Sequence, residues 1–195
     1  MGAKGDKKFE EIIEVAVKEF TECGYENTTM QNIAQKAGLS KGGLYHHFSS
    51  KAEILFVLNT TIINSIKEIC DRIDLRPTAE EGLNRFIEEY ISFWLTKPDE
   101  LQLYFITFNY AYKDERIVEL YSFSNEYLRS KISLAFEKMN IRFEIQNSQK
   151  SELIDAKARS LALMSCLDGY LGNLLFDTQI EPDRMIKEIQ RIFVK

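Results

Sequence analysis

The chain has 195 residues, 45% hydrophobic and 28% charged, the balance of a globular protein with room for one large domain or a small one joined to a medium one. Three prolines and nine glycines interrupt it, so it is expected to be mostly helical, and its three scattered cysteines, without C-x-x-C spacing, suit a reducing, cytoplasmic setting. No apolar leader follows Met1 and no apolar run approaches the ~18 residues of a membrane span.

The net charge of −5 argues at first against a nucleic-acid partner. It is unevenly spread, however: seven lysines and seven acids cancel over residues 1–51, so the deficit lies in 52–195. Within the first segment the acids end at Glu26, and Lys36, Lys41 and Lys51 follow with no acid between them. Attraction to phosphate acts within a Debye length of about 10 Å, so an acidic body does not exclude a basic edge.

Phe9, Ile12, Ile13, Ala16, Val17 and Phe20 form one apolar helical stripe that Gly24 stops. Thr28 and Thr29 are placed to cap a short second helix from Met30 to Lys36, which Gly38 breaks and Leu39 plugs. Ser40 caps a third helix running to about Phe48, and the capping box Ser50-x-x-Glu53 opens a fourth that runs to about Ile73. These spacings predict a compact trihelical head over residues 1–51 and a helical body over 52–195. In the body, Pro77 and Thr78-x-x-Glu81 open a fifth helix, and Pro98-Asp99-Glu100 a sixth. A seventh spans Asp114 to Met139, an eighth Ser151 to Phe176 and a ninth Pro182 to Phe193. No segment alternates as a strand does, so the expected class is all-α with about nine helices.

On a wheel of about 100° per residue, the third helix buries Leu44 and Phe48 and turns Gly42, Gly43, Tyr45 and His46 outward. Those residues suit either a solvent-exposed helix with an incidental aromatic edge or one whose backbone approaches a duplex. The string Ser40-Lys41-Gly42-Gly43-Leu44-Tyr45-His46-His47-Phe48, continuing through Lys51-Ala52-Glu53, resembles the recognition-helix signature of the TetR family of transcriptional regulators. The preceding stretch from Thr28 to Leu39 is similar to that family's second helix and turn. The resemblance covers about residues 9–58 and implies a helix-turn-helix that binds double-stranded DNA.

By position it implies that Thr28 or Thr29 touches a phosphate while capping, and that Gln31 reaches a base edge or sugar. Lys41, Gly42, Gly43 and His46 face the major groove beyond the Ser40 cap, and Tyr45, His47 and Lys51 hold the backbone. Gly43 departs from the pattern, since many relatives carry Thr, Ala or Ser there. The adjacent histidines point about 100° apart without a third ligand nearby, so no metal is expected. No nucleophile–base pair, phosphate loop or H-E-x-x-H is present, so neither an enzyme nor a cofactor is expected.

Residues 86–127 are rich in aromatics. Phe86, Tyr90, Trp94, Tyr104, Phe105, Phe108, Tyr112 and Tyr127, with polar Asn109 among them, read either as an ordinary core or as the wall of a cavity. The resemblance favours a small-molecule effector, here aromatic or amphipathic, bound between the fourth and eighth helices. Ala158, Leu161, Ala162, Ser165, Gly169, Gly172 and Phe176 set a small-residue seam along the eighth helix, suited to a homodimer interface or to close intrachain packing. The functional expectation is a repressor that its effector releases from a pseudopalindromic operator. A DNA-binding regulator controlled by a protein partner is the alternative.

Overall fold

The computed structural model describes residues 3–147, 155–177 and 181–194. Among these, nine α-helices and one 3-10 turn carry the fold, and no strand occurs. They are α1 (Ala3–Glu22), α2 (Met30–Lys36), α3 (Lys41–His47), α4 (Lys51–Asp71), the 3-10 turn Arg72–Leu75, α5 (Ala79–Leu95), α6 (Pro98–Ala111), α7 (Glu115–Asn147), α8 (Ala156–Leu174) and α9 (Pro182–Phe193). The seventh helix runs past its expected end at Met139, because no glycine or proline interrupts the chain there. Residues 151–154, the expected start of the eighth helix, lie outside the described residues, and α8 opens at Ala156 with Asp155 as its cap. No described helix is long and apolar enough to cross a membrane. Cys23, Cys70 and Cys166 are free thiols.

The chain divides into two compact units, Met1–Ile62 with Lys97–Leu120, and Ile63–Thr96 with Tyr121–Lys195. In the first, α1 packs on α2 and α6, and α2 packs on α3. The core is the α1 stripe of Ile12, Ala16 and Phe20 with Ile33, Leu44, Phe48 and Leu55, all at most 1% exposed. Each of these side chains other than Ala16 contributes roughly 1.5–3 kcal/mol by leaving water. One polar pair is carried inside, where Asn59 donates to the Leu55 carbonyl (2.8 Å) and to the Thr107 hydroxyl (3.2 Å).

The second unit is organised by α5, whose Leu83, Phe86, Ile87, Tyr90, Ile91 and Trp94 recur at helical spacing and are all buried. Thr78 caps this helix by accepting from the Glu81 amide (3.2 Å). The same helix packs on the 3-10 turn, α8 and α9. Gly82 makes the first of these contacts possible, because a Cβ there would lie 2.5 Å from the Ile73 carbonyl oxygen.

Candidate nucleic-acid interface

The α2–turn–α3 segment is built from local hydrogen bonds. Thr29 is the α2 N-cap and accepts from the Asn32 amide (3.1 Å), while its hydroxyl donates to the Asn32 side-chain oxygen. At the other end, Gly38 takes φ +65°, the Gly38 amide donates to the Gln35 carbonyl (3.2 Å) and the Leu39 amide donates to the Ala34 carbonyl (2.8 Å). That paired closure is a Schellman turn, and the left-handed position is one that glycine fills without strain. Ser40 then caps α3, its hydroxyl accepting from the Gly43 amide (3.1 Å).

The α3 wheel matches the sequence spacing except at Gly43. Leu44 and Phe48 are buried, Phe48 stacking on Phe9 at 5.1 Å, while Lys41, Gly42, Tyr45 and His46 are exposed and His47 is half-buried. Gln31 is exposed at the start of α2. A Cβ on Gly42 would meet nothing within 4 Å, so that position opens to solvent. Gly43 is half-buried and aims elsewhere: a Cβ there would lie 3.3 Å from the Ser40 hydroxyl oxygen and 3.6 Å from the Leu39 side chain.

Several expected phosphate contacts are otherwise engaged. Thr28 is buried, and its hydroxyl donates inward to the Glu19 carbonyl (2.9 Å), with the Gly24 carbonyl equally near. Lys51 corrects the sequence reading more sharply. Its ammonium donates to the carbonyls of Tyr25 (2.6 Å), Glu26 (3.0 Å) and Thr28 (3.0 Å), and sits 4.6 Å from the Tyr25 ring centre. An ammonium has three protons, and all three are used to close the α1–α2 turn. Lys36 pairs with the buried Glu19 carboxylate, a bond that raises the lysine pKa. Lys36 stays exposed despite that pair, and Lys41, also exposed and 5.9 Å from the Tyr45 ring centre, has no carboxylate or carbonyl partner among the described residues.

The head is tied to α6 and the turn after it by contacts that the sequence did not suggest. Tyr25 stacks on Tyr110 (4.7 Å), Lys113 pairs with Glu26 (3.0 Å), and Gln102 donates to the Thr21 carbonyl (3.3 Å). Tyr25, Lys51, Leu55, Tyr110, Lys113 and Ile117 surround a cavity of about 330 Å³. Burial is the main reason the Tyr25 phenol is shifted up, and Glu26 and Asp114 add to it. The bond from Lys113 holds Glu26 below the usual carboxylate range. At α4, Ser50 accepts from the Glu53 amide (3.1 Å), but the Glu53 carboxylate reaches the Ser49 amide and hydroxyl, one residue upstream of the expected box, and these bonds lower its pKa.

Residues 12–58 match the family model for bacterial regulatory proteins of the tetR family. The match covers the head, about a quarter of the chain. YhgD of Bacillus subtilis strain 168, an HTH-type transcriptional regulator, is 38% identical over 60 residues, which is 31% of each chain. The chain thus matches about a third of that relative's length. Over nearly the full chain the likeness is one of fold. The MbdR regulator of Azoarcus sp. CIB aligns with a TM-score of 0.77 at 20% identity over 96% of this chain and 97% of its own. AibR, solved with isovaleryl coenzyme A and operator DNA, aligns at 0.76 and 17% identity over 96% of this chain and 98% of its own.

Beyond this head, the nine aromatic and polar residues expected at an effector site divide between the two units. Tyr104, Phe105, Phe108, Asn109 and Tyr112 lie in the first. Tyr104 is buried, and its ring meets Phe105 and Phe108 edge-on, but Asn109, Phe108 and Tyr112 are exposed, Tyr112 by 75%. Phe86, Tyr90, Trp94 and Tyr127 lie in the second, the first three at most 1% exposed and stacked in series along α5. Tyr127 donates to Asp71, and Lys67 sits 4.8 Å from its ring centre.

Sequence reasoning missed Asp168, whose carboxylate accepts from the Tyr90 hydroxyl at 2.9 Å. Burial pushes its pKa up, against the lowering effect of that bond. An acid as the one charged residue in the run from Ser160 to Gly172 was the signal available. The seam residues of α8 are displayed in the single chain: Ala158, Leu161, Ala162, Ser165, Gly169 and Phe176 are exposed and Gly172 is half-buried.

Proposed function

We propose that the chain is a transcriptional repressor that binds a pseudopalindromic operator as a homodimer and is released by a small aromatic or amphipathic effector. One observation carries the reading. A capped α3 buries Leu44 and Phe48 and turns Lys41, Gly42, Tyr45 and His46 outward, inside the segment that matches the tetR family. In this role Lys41, Gly42 and His46 enter the major groove, where the bare Gly42 lets the backbone approach closely, and Gln31 reaches a base edge or sugar. Thr29, Tyr45 and His47 contact phosphate. A two-fold dimer joined through α8, with α9 alongside, sets two such helices roughly 34–36 Å apart, one duplex turn. AibR, solved with both an acyl coenzyme A and operator DNA, supports the pairing of effector and operator in this fold.

Effector binding in the body displaces α4, which begins at Lys51, and the spacing of the heads no longer fits the operator. Linkage then requires DNA to weaken effector binding by the same factor. The close packing of Phe86, Tyr90 and Trp94 favours a second reading, in which a protein partner replaces the effector.

The test is selection of bound duplexes from a random pool, followed by anisotropy titration of the enriched site with and without aromatic and acyl candidates. An inverted repeat whose affinity falls with a candidate is expected. Enrichment of no sequence would refute the operator reading, and release by a protein alone would favour the second one.

A further inference from the structure

Helix α8 displays a face that the chain itself does not cover. Ala162, Ser165 and Gly169 are exposed along it, and a Cβ on Gly169 would meet nothing within 4 Å. At the N-terminal end of that face a groove of about 850 Å³ opens between α7 and α8. Leu134 (43% exposed), Ala158 and Leu161 (51% exposed) wall it, and Ser133 lines it, buried, with a hydroxyl that has no hydrogen-bond partner among the described residues. Just past the opposite end of α8, two residues beyond Leu174, Phe176 stands 90% exposed. A bare aromatic ring and an apolar slot thus stand at the two ends of one helix.

We propose that in the homodimer the Phe176 ring of each copy inserts into the α7–α8 groove of the other. This rests on the homodimer reading above and names the contact that closes its ends. Two copies of one helix packed about a perpendicular two-fold axis run antiparallel, so each contact occurs twice with the roles exchanged. The displayed stretch extends from Ala158 to Phe176, and its midpoint falls between Ser165 and Gly169. Pairing about that midpoint sets Ser165 against Gly169 at the crossing, where small residues let two backbones approach, and sets Phe176 against Ala158. Ala158 is a wall of the groove. The charges lining the slot balance, Arg129, Lys131 and Lys157 against Glu126, Glu137 and Asp155, which suits an uncharged plug. The partner is therefore a second copy of this chain, and the plug is its own α8 terminus.

The test uses the full chain and the dimer dissociation constant from sedimentation over a dilution series. Phe176→Ala and Leu134→Ala change exposed residues, and circular dichroism checks that both variants remain folded. Each is expected to weaken the dimer about tenfold to a hundredfold. The double variant is expected to be no weaker than the worse single one, because both delete the same contact. A constant unmoved by Phe176→Ala, or effects that multiply in the double variant, would overturn the plug. Ser165→Arg at the crossing separates the two readings. If it splits the dimer while Phe176→Ala and Leu134→Ala do not, the plug fails and the homodimer stands. If it leaves the dimer intact, or the parent chain is monomeric at micromolar concentration, the α8 face and the plug fail together.

Discussion

Replacing Lys51 by methionine separates a residue that holds the head together from one that holds DNA. Methionine keeps an apolar stem of similar length and removes the charge and all three donors. The carbonyls of Tyr25, Glu26 and Thr28 then lose bonds of 2.6, 3.0 and 3.0 Å, and the Tyr25 ring loses its cation. Hydrogen bonds to a charged group are worth about 1.5–3 kcal/mol each. Because one of the three is exposed and the others only part-buried, water replaces a share of them, and the expected loss is about 2–4 kcal/mol. It should register as faster amide exchange over residues 24–29 and a lower urea midpoint for the head. Operator affinity should fall because fewer heads are folded, while the slope of log affinity against log salt stays unchanged. A lysine on phosphate gives the opposite pattern, with stability within about 0.5 kcal/mol of the parent. The slope would then flatten by about 0.9 per phosphate released, roughly two over a dimer. Unchanged exchange with a flattened slope would refute the assignment of Lys51 to the turn.

Gly82→Ala forces a Cβ to within 2.5 Å of the Ile73 carbonyl oxygen, so thermal unfolding should show a loss of about 1–3 kcal/mol, and a neutral result would contradict the packing of α5 on the 3-10 turn. Gly42→Ala adds a methyl into open space and should slow amide exchange across α3 in the free protein by the equivalent of about 1 kcal/mol; unchanged protection would mean the glycine does not loosen that helix. Glu53, Glu26 and Asp114 are held low by hydrogen bonds from Ser49, Lys113 and Arg116, so the stability they lend is present above their unfolded values of about 4. It is lost as pH falls through the lower folded values, and Glu53→Gln should shrink that acid-induced drop in an unfolding series. Asp168 carries the reverse sign, since its raised pKa costs stability as pH climbs from 3.8 through the folded value. Asp168→Asn should therefore raise the urea midpoint at neutral pH and leave it unchanged well below pH 3.8.

Features set by near neighbours in the chain are legible in the sequence alone. The N-caps Thr29, Ser40 and Thr78, the left-handed Gly38 and the inward pair Leu44 and Phe48 each follow from residues within four positions of one another. What escaped depends on where distant atoms meet. The carbonyls that capture Lys51 lie 23 to 26 residues away, and the α1 carbonyl that takes the Gln102 amide lies 81 residues away. Gly82 looks like any mid-helix glycine until the Ile73 carbonyl is set against it. Asp168 is a surface charge by residue type and becomes a part-buried acceptor only because Tyr90 faces it.

These long-range contacts change what the head can offer to DNA. Counting lysines after Glu26 suggests three phosphate anchors, yet Lys36 pairs with Glu19 and Lys51 with the α1–α2 turn, which leaves Lys41 as the one with no carboxylate or carbonyl partner among the described residues. Fewer cations released per head mean a shallower salt dependence than three lysines would give, by about 0.9 for each phosphate not engaged. In the proposed dimer, affinity for an operator would then come from the short polar side chains of α2 and α3, from close backbone approach at Gly42, and from the joining of two heads. Two weak heads bind tightly only while their spacing matches the operator, because the second contact is made at the effective concentration set by the first. A regulator built this way needs only a small change in that spacing to lose most of its grip.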